Sequence, residues 1–150
     1  MGVVMFYHLT ASPAEETART LLARALQAGW RVMLRGTNAE RLEWLDGYLW
    51  QGPDDGFMPH GLEGGRHDAR QPVLLGRGEI GNHAQALMAL DGAEVNAEEA
   101  RNLERVFILF DGHDEAAVAA ARVQWKALTG AGLAAQYWSE ESGRWEKKAG

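Results

Sequence analysis

Apolar residues in this chain fall in short dense runs, and the stretches between them carry helix punctuation. Val3 to Leu9 is nearly continuous apolar sequence, the pattern of a strand covered on both faces. "SPAEE" follows: Ser12 and Glu15 spell an S-x-x-E capping box, and Pro13 suits a first helical position. A helix is therefore predicted over 13–28, ended by Gly29. "WRVMLRG" (30–36) reads as the next strand. Thr37 and Glu40 spell a second box, opening a helix that runs to Trp50. A βαβα opening of this kind predicts a parallel sheet.

The region 51–72 reads as loop, rich in Gly, Pro and Asp. Strands are expected at 72–76 and 85–92, a short helical turn at 98–103, and the clearest buried strand, "ERVFILFDG", at 104–112. "DEAAVAAARVQWKALTG" (114–130) predicts a helix stopped by glycine, and "LAAQYWSEE" a last strand. The tail 146–150 is expected to fray. The pattern as a whole predicts an α/β fold, a mainly parallel sheet with helices on both faces.

Composition narrows the function classes. A chain of 150 residues that is 46% apolar can bury one good core, which predicts a single domain over 1–150. Zero cysteines exclude disulfides, zinc-thiolate sites and cysteine nucleophiles. The start "MGVVMFYHLT" has no basic n-region, and no apolar run approaches ~18 residues, so the expectation is a cytoplasmic protein with no membrane segment. A net charge of -6 opposes broad contact with phosphate backbones, although all three lysines (Lys126, Lys147, Lys148) sit near Arg122 and Arg144.

Catalytic candidates fail one by one. "GRGEIG" (76–81) spells the dinucleotide motif, but no long crossover helix follows it and no acidic residue ends a next strand at the right distance. The five histidines lack metal-ligand spacing and read as surface or loop residues. None of the three serines lies in G-x-S-x-G. "DGHDE" (111–115) stands where α/β enzymes place ligands, yet Asp114 also suits a helix N-cap. No catalytic residue, metal or cofactor is assigned. The rival reading is a small nucleotide-binding α/β enzyme that uses the GRGEIG loop.

Two features remain. Projected at 100° per residue, Ala116, Ala117, Ala120, Val123, Ala127 and Leu128 gather on a stripe that can face the sheet. Val118, Arg122, Trp125 and Thr129 then lie opposite, with Lys126 beside them. Either the tail and the cation stems shield the indole, or this face takes a carboxylate joined to an apolar side chain. The second feature is the segment "LWQGPDDGFMPHGL" (49–62), which threads strongly apolar residues through loop residues.

That segment resembles, in its apolar and proline pattern, the L-W…P…F-x-P-H-x-L stretch of the chi subunit of bacterial DNA polymerase III holoenzyme. The βαβα opening is similar too, and the late helix matches R-x-x-[YW]-K through Arg122, Trp125 and Lys126. The resemblance spans essentially the whole chain, loosely over 63–103. It implies a Rossmann-like, chi-type accessory subunit without catalytic activity, which bridges the clamp loader to single-stranded DNA-binding protein (SSB) and meets nucleic acid only indirectly. One surface would bind a psi-type subunit of the clamp loader through Trp50, Phe57 and Pro59, with Leu49 and Leu62. A second would take the acidic C-terminal tail of SSB, which ends in an apolar residue and a free carboxylate, on Arg122, Trp125 and Lys126 with Val118 and Thr129. A homodimer burying Trp50 and Phe57 is the other way to cover the apolar loop. The acidity and the extension "SEESGRWEKKAG" depart from the family pattern.

Overall fold

Crossovers between parallel strands organise the molecule, a computed structural model that describes residues 2–51 and 58–150. β1 (Val3–Leu9) passes through α1 (Ala14–Gln27) to β2 (Val32–Arg35), and α2 (Ala39–Trp50) leads on towards β3 (His60–Leu62). After β4 (Val73–Gly76) and β5 (Ala86–Ala89), α3 (Ala97–Arg101) precedes β6 (Arg105–Asp111), and α4 (Glu115–Gly130) carries the chain to β7 (Ala134–Ser139) and β8 (Glu146–Ala149). The eight strands form one sheet in the order β3-β4-β2-β5-β6-β1-β7-β8, parallel throughout except for the β7–β8 pair. The mainly parallel α/β architecture expected from the sequence is the one observed.

Strand alternation divides the core into two layers. Met5, Val32, Leu34, Met88 and Phe107 point to the α1/α2 side, where they meet Leu21, Leu22, Leu42 and Leu45. Phe6, Met33, Leu87, Ile108 and Phe110 point the other way, to Ala100, Ala121 and Leu128. Both faces are therefore apolar, which is why the strands read as unbroken hydrophobic runs. Charged side chains also lie inside, Glu140 and Arg35 among them; the guanidinium of Arg35 is ion-paired with Glu99 at 2.8 Å and donates to the carbonyls of Gly78 and Glu94.

Several local expectations are corrected. Neither spelled capping box forms. Pro13 is the cap position of α1 with no side-chain cap, because the Ser12 hydroxyl is drawn to Glu140 instead. Asn38, not Thr37, caps α2 through the Arg41 N–H, while the Thr37 hydroxyl donates to the Asp91 carbonyl. Within the region read as loop, β3 and a 3-10 turn at Asp68–Arg70 form. α1 does end at Gly29, which takes φ +86°; α4 continues through Gly130, and Gly132 (φ +89°) supplies the left-handed turn. The tail expected to fray is β8, paired antiparallel with β7.

Candidate functional site

β1 and β6 are neighbours whose chains leave in opposite directions, α1 towards β2 and α4 towards β7, so their carboxyl ends flank a topological switch point. A crevice of about 820 Å³ opens there, lined by the loops after both strands. The donors that would hold an anion at this point already have one. A single oxygen of Glu140 accepts from the backbone N–H groups of Thr10, Ala11 and Ser12 at 2.5–3.0 Å, and its other oxygen accepts from the Ser12 hydroxyl. Burial pushes the Glu140 carboxyl pKa up, but hydrogen bonds from the Ser12 and Ala11 backbone, the Ser12 hydroxyl and the Thr10 backbone outweigh it and hold the value below the ordinary one. In "DGHDE", Asp114 is the N-cap of α4, accepting from the N–H groups of Ala116 and Ala117, and Asp111 accepts from the His113 N–H.

The GRGEIG loop is likewise filled from within. It leads from β4 to β5 with no intervening helix, and the Glu63 carboxylate accepts from the Arg77 N–H. A side chain at Gly76 would collide with that carboxylate. Among the described residues no group of three His, Asp or Glu side chains is placed to hold a metal ion.

On α4 the helix is turned relative to the projected stripe. Ala121 and Leu128 are buried, with Ala117, Val118 and Trp125 packed on the same cluster, whereas Val123 is 68% exposed and Ala116, Ala120 and Ala127 face solvent. Small alanines lie all round this helix, so its few bulky residues set its rotation. Trp125 therefore does not stand away from the core: its ring lies 5.3 Å from Phe6 and 6.0 Å from Tyr137, both nearly edge-on. Thr129 is bound to its own helix, donating to the Trp125 carbonyl.

The predicted set still shares one ridge. Arg122 and Lys126 are exposed beside the half-buried Trp125, and among the described residues neither cation pairs with a carboxylate. Arg144 and Lys148, in contrast, are both tied to Glu146. The sequence reading missed Tyr137 and His8, whose side chains are hydrogen-bonded at 2.9 Å beneath this ridge. Strand periodicity held the signal, since Tyr137 and Trp138 must face opposite sides of β7. Burial raises the Tyr137 pKa; Arg122 lowers it in part and Glu141 adds to the rise, so the Arg122 charge lies close to the phenol. Because Trp125 packs on Phe6, Trp125→Ala should cost about 2 kcal/mol of stability, less than a fully buried indole, visible as an earlier urea midpoint.

The second surface lies at the end of α2. Trp50 is 56% exposed and its ring lies 4.7 Å from His60, with Leu62 also at the surface and Pro59 exposed beside them. Leu49, assigned to this surface from the sequence, is instead core at 4% exposure, and Met58 is buried as well. Phe57 lies outside the described residues. His60, expected at the surface, is buried between the Met58 and Asp46 carbonyls and the Asp46 carboxylate, and so fixes the chain leading into β3. Trp44 and Tyr48, stacked 5.4 Å apart and covered by Arg41 and Arg19, add an aromatic patch on α2 that the sequence reading passed over.

Two comparisons bear on these surfaces. The family model described as DNA polymerase III chi subunit, HolC, matches residues 1–136. The DNA polymerase III subunit chi of Pseudomonas aeruginosa PAO1 is 37% identical over 94 residues, covering 60% of this chain and 65% of that protein. The match thus spans just under two thirds of the relative's length.

Proposed function

The chain belongs to the DNA polymerase III chi subunit family, and from that premise we propose that it links a psi-type subunit of the clamp loader to the acidic C-terminal tail of SSB. Membership makes it an accessory subunit of the replicative polymerase, acting in DNA replication among protein partners. The observation that carries the finer reading is the ridge of α4, where two exposed cations, without carboxylate partners among the described residues, flank an aromatic surface. A tail ending in an apolar side chain and a free carboxylate asks for those two elements side by side: a guanidinium or ammonium for the charge, an indole edge for the apolar group. The subunit contributes adhesion rather than chemistry, and the carboxylates of Glu140 and Glu63 occupy the two places where a nucleotide's phosphates would otherwise be sought.

A pull-down separates the readings. Full-length SSB should retain the protein, and SSB lacking its terminal residues should not; equal retention of both would place the contact elsewhere. A nucleotide panel in a thermal-shift assay addresses the enzyme alternative, since a cofactor enzyme gains stability with its ligand. Light scattering of the isolated chain addresses the homodimer.

For the clamp-loader side, Trp50→Ala is expected to weaken the psi-type partner by about 2 kcal/mol, as truncation of an exposed aromatic anchor does. Calorimetry reads the affinity, and an unchanged value would remove Trp50 from the interface. Leu49→Ala, a core change, should instead lower stability.

A further inference from the structure

The sheet face opposite α4 carries a recess of its own. α1 packs over β6 and β2, leaving a groove of about 670 Å³ between that helix and β1, β7 and the segment before β8. Its aromatic lining is Tyr7, Trp30, Phe107, Trp138 and Trp145, and its cations are Arg24 and Arg105. The helical wall runs from Glu16 to Ala28, roughly 18 Å at the usual helical rise, the span of an extended peptide of about five residues. Trp138 and Trp145 lie past residue 136, beyond the part of the chain that the family model matches.

Charge sets the sign of what fits there. In a chain of net charge -6, two guanidiniums face a single lining carboxylate, Glu16. Among the described residues the side chains of Arg24 and Arg105 have neither an ion pair nor a hydrogen bond, and the Arg105 Nε is buried without an acceptor. Burial raises the Tyr7 pKa while Arg105 and then Arg24 oppose the rise, so both charges are felt in the middle of the groove. Ring geometry sets the shape. Tyr7 meets Trp145 edge-to-face at 86°, and Arg105 lies over Trp30 at 5.5 Å. These rings offer edges and partly covered faces, which suit a side chain inserted between them better than the open slabs on which bases stack. Two cations also release too few counterions to hold a long polyanion against the chain's negative surplus.

We propose that this groove is a docking site for a short acidic peptide segment that seats an aromatic side chain among Tyr7, Trp138 and Trp145 and sets its carboxylates on Arg24 and Arg105. The site is independent of the α4 ridge, from which the sheet separates it. The probe is N-acetyl-Asp-Phe-Asp-amide, whose blocked terminus denies the α4 ridge a terminal carboxylate. It is titrated to about 10 mM into the full chain while the six indole N–H resonances are followed by NMR. The Trp30, Trp138 and Trp145 resonances should move in a saturable way and that of Trp125 should not. Arg24 is exposed, so Arg24→Glu should keep the fold and weaken the effect roughly tenfold, with Arg24→Gln intermediate. Replacing Phe by Ala in the peptide should abolish it. The proposal is overturned if the three resonances stay still, if they move equally in Arg24→Glu, or if oligo-dT moves them under the same conditions while the peptide does not.

Discussion

Glu140→Ala is expected to destabilise the protein by roughly 3 kcal/mol, because the change strips one buried carboxylate from three backbone N–H groups and a hydroxyl at once. The residue is 5% exposed, so water reaches the abandoned donors poorly. Those donors belong to the turn between β1 and α1, and Glu140 follows β7, so the bond ties together two loops 128 positions apart in sequence. The pH dependence has a definite sign. The folded-state pKa lies below the ordinary glutamate value of 4.5, so the stabilisation is fully present above about 4.5 and is lost as pH falls through the lower folded value. Glu140→Gln keeps the shape without the charge; it should be less stable than wild type at pH 7 and converge with it in acid. Urea midpoints at both pH values measure this. Equal midpoints at pH 7 would show that the carboxylate is a bystander.

Local signals carried the order of elements well and their junctions poorly. β1, α1, β2, α2, β6 and α4 are each written in a run of apolar residues or a helical period, and the structure follows them. Both spelled capping boxes failed for one physical reason. A side chain at a helix start serves whichever donor or acceptor the tertiary fold brings nearest, and Glu140 and Asp91 lie far from Ser12 and Thr37 in sequence. β3 and β8 were missed because short edge strands gain their order from a neighbour, β4 and β7 respectively, rather than from their own pattern.

The candidate sites show the same division. "LWQGPDDGFMPHGL" signalled a surface through its apolar residues, but it could not separate the exposed Trp50 from the buried Leu49 and Met58. That distinction depends on which way the last turn of α2 points. On α4 the residues Val118, Arg122, Trp125, Lys126 and Thr129 were projected away from the core, whereas Val118 and Trp125 pack against it. Seven residues of the helix bury little area whichever way they face, being alanine or glycine, so the moment of its sequence is a weak guide and the contact of Trp125 with Phe6 decides. Half-burial changes what the indole offers a ligand: a fixed edge backed by Tyr137, held at no entropic cost on binding.

That rigid edge makes the α4 ridge testable by charge alone. Arg122→Glu with Lys126→Glu should weaken an SSB-tail peptide by more than 3 kcal/mol, on the order of a hundredfold or more in Kd. Each reversal removes a charged hydrogen bond and adds repulsion against an acidic tail. Both side chains are exposed and, among the described residues, unpaired, so the circular dichroism melt should stay close to wild type. Raised salt should mimic part of the loss, since an exposed pair is screened within ~8 Å at physiological ionic strength. Amidating the peptide's C-terminus should weaken wild type by about 1.5 to 3 kcal/mol and the double variant far less, because the cation that would hold the carboxylate is already gone. Fluorescence anisotropy with labelled free-acid and amidated peptides measures the four combinations. Binding by the double variant that matches wild type would show that the tail docks elsewhere, whereas equal losses on amidation in both proteins would assign the carboxylate to a different cation.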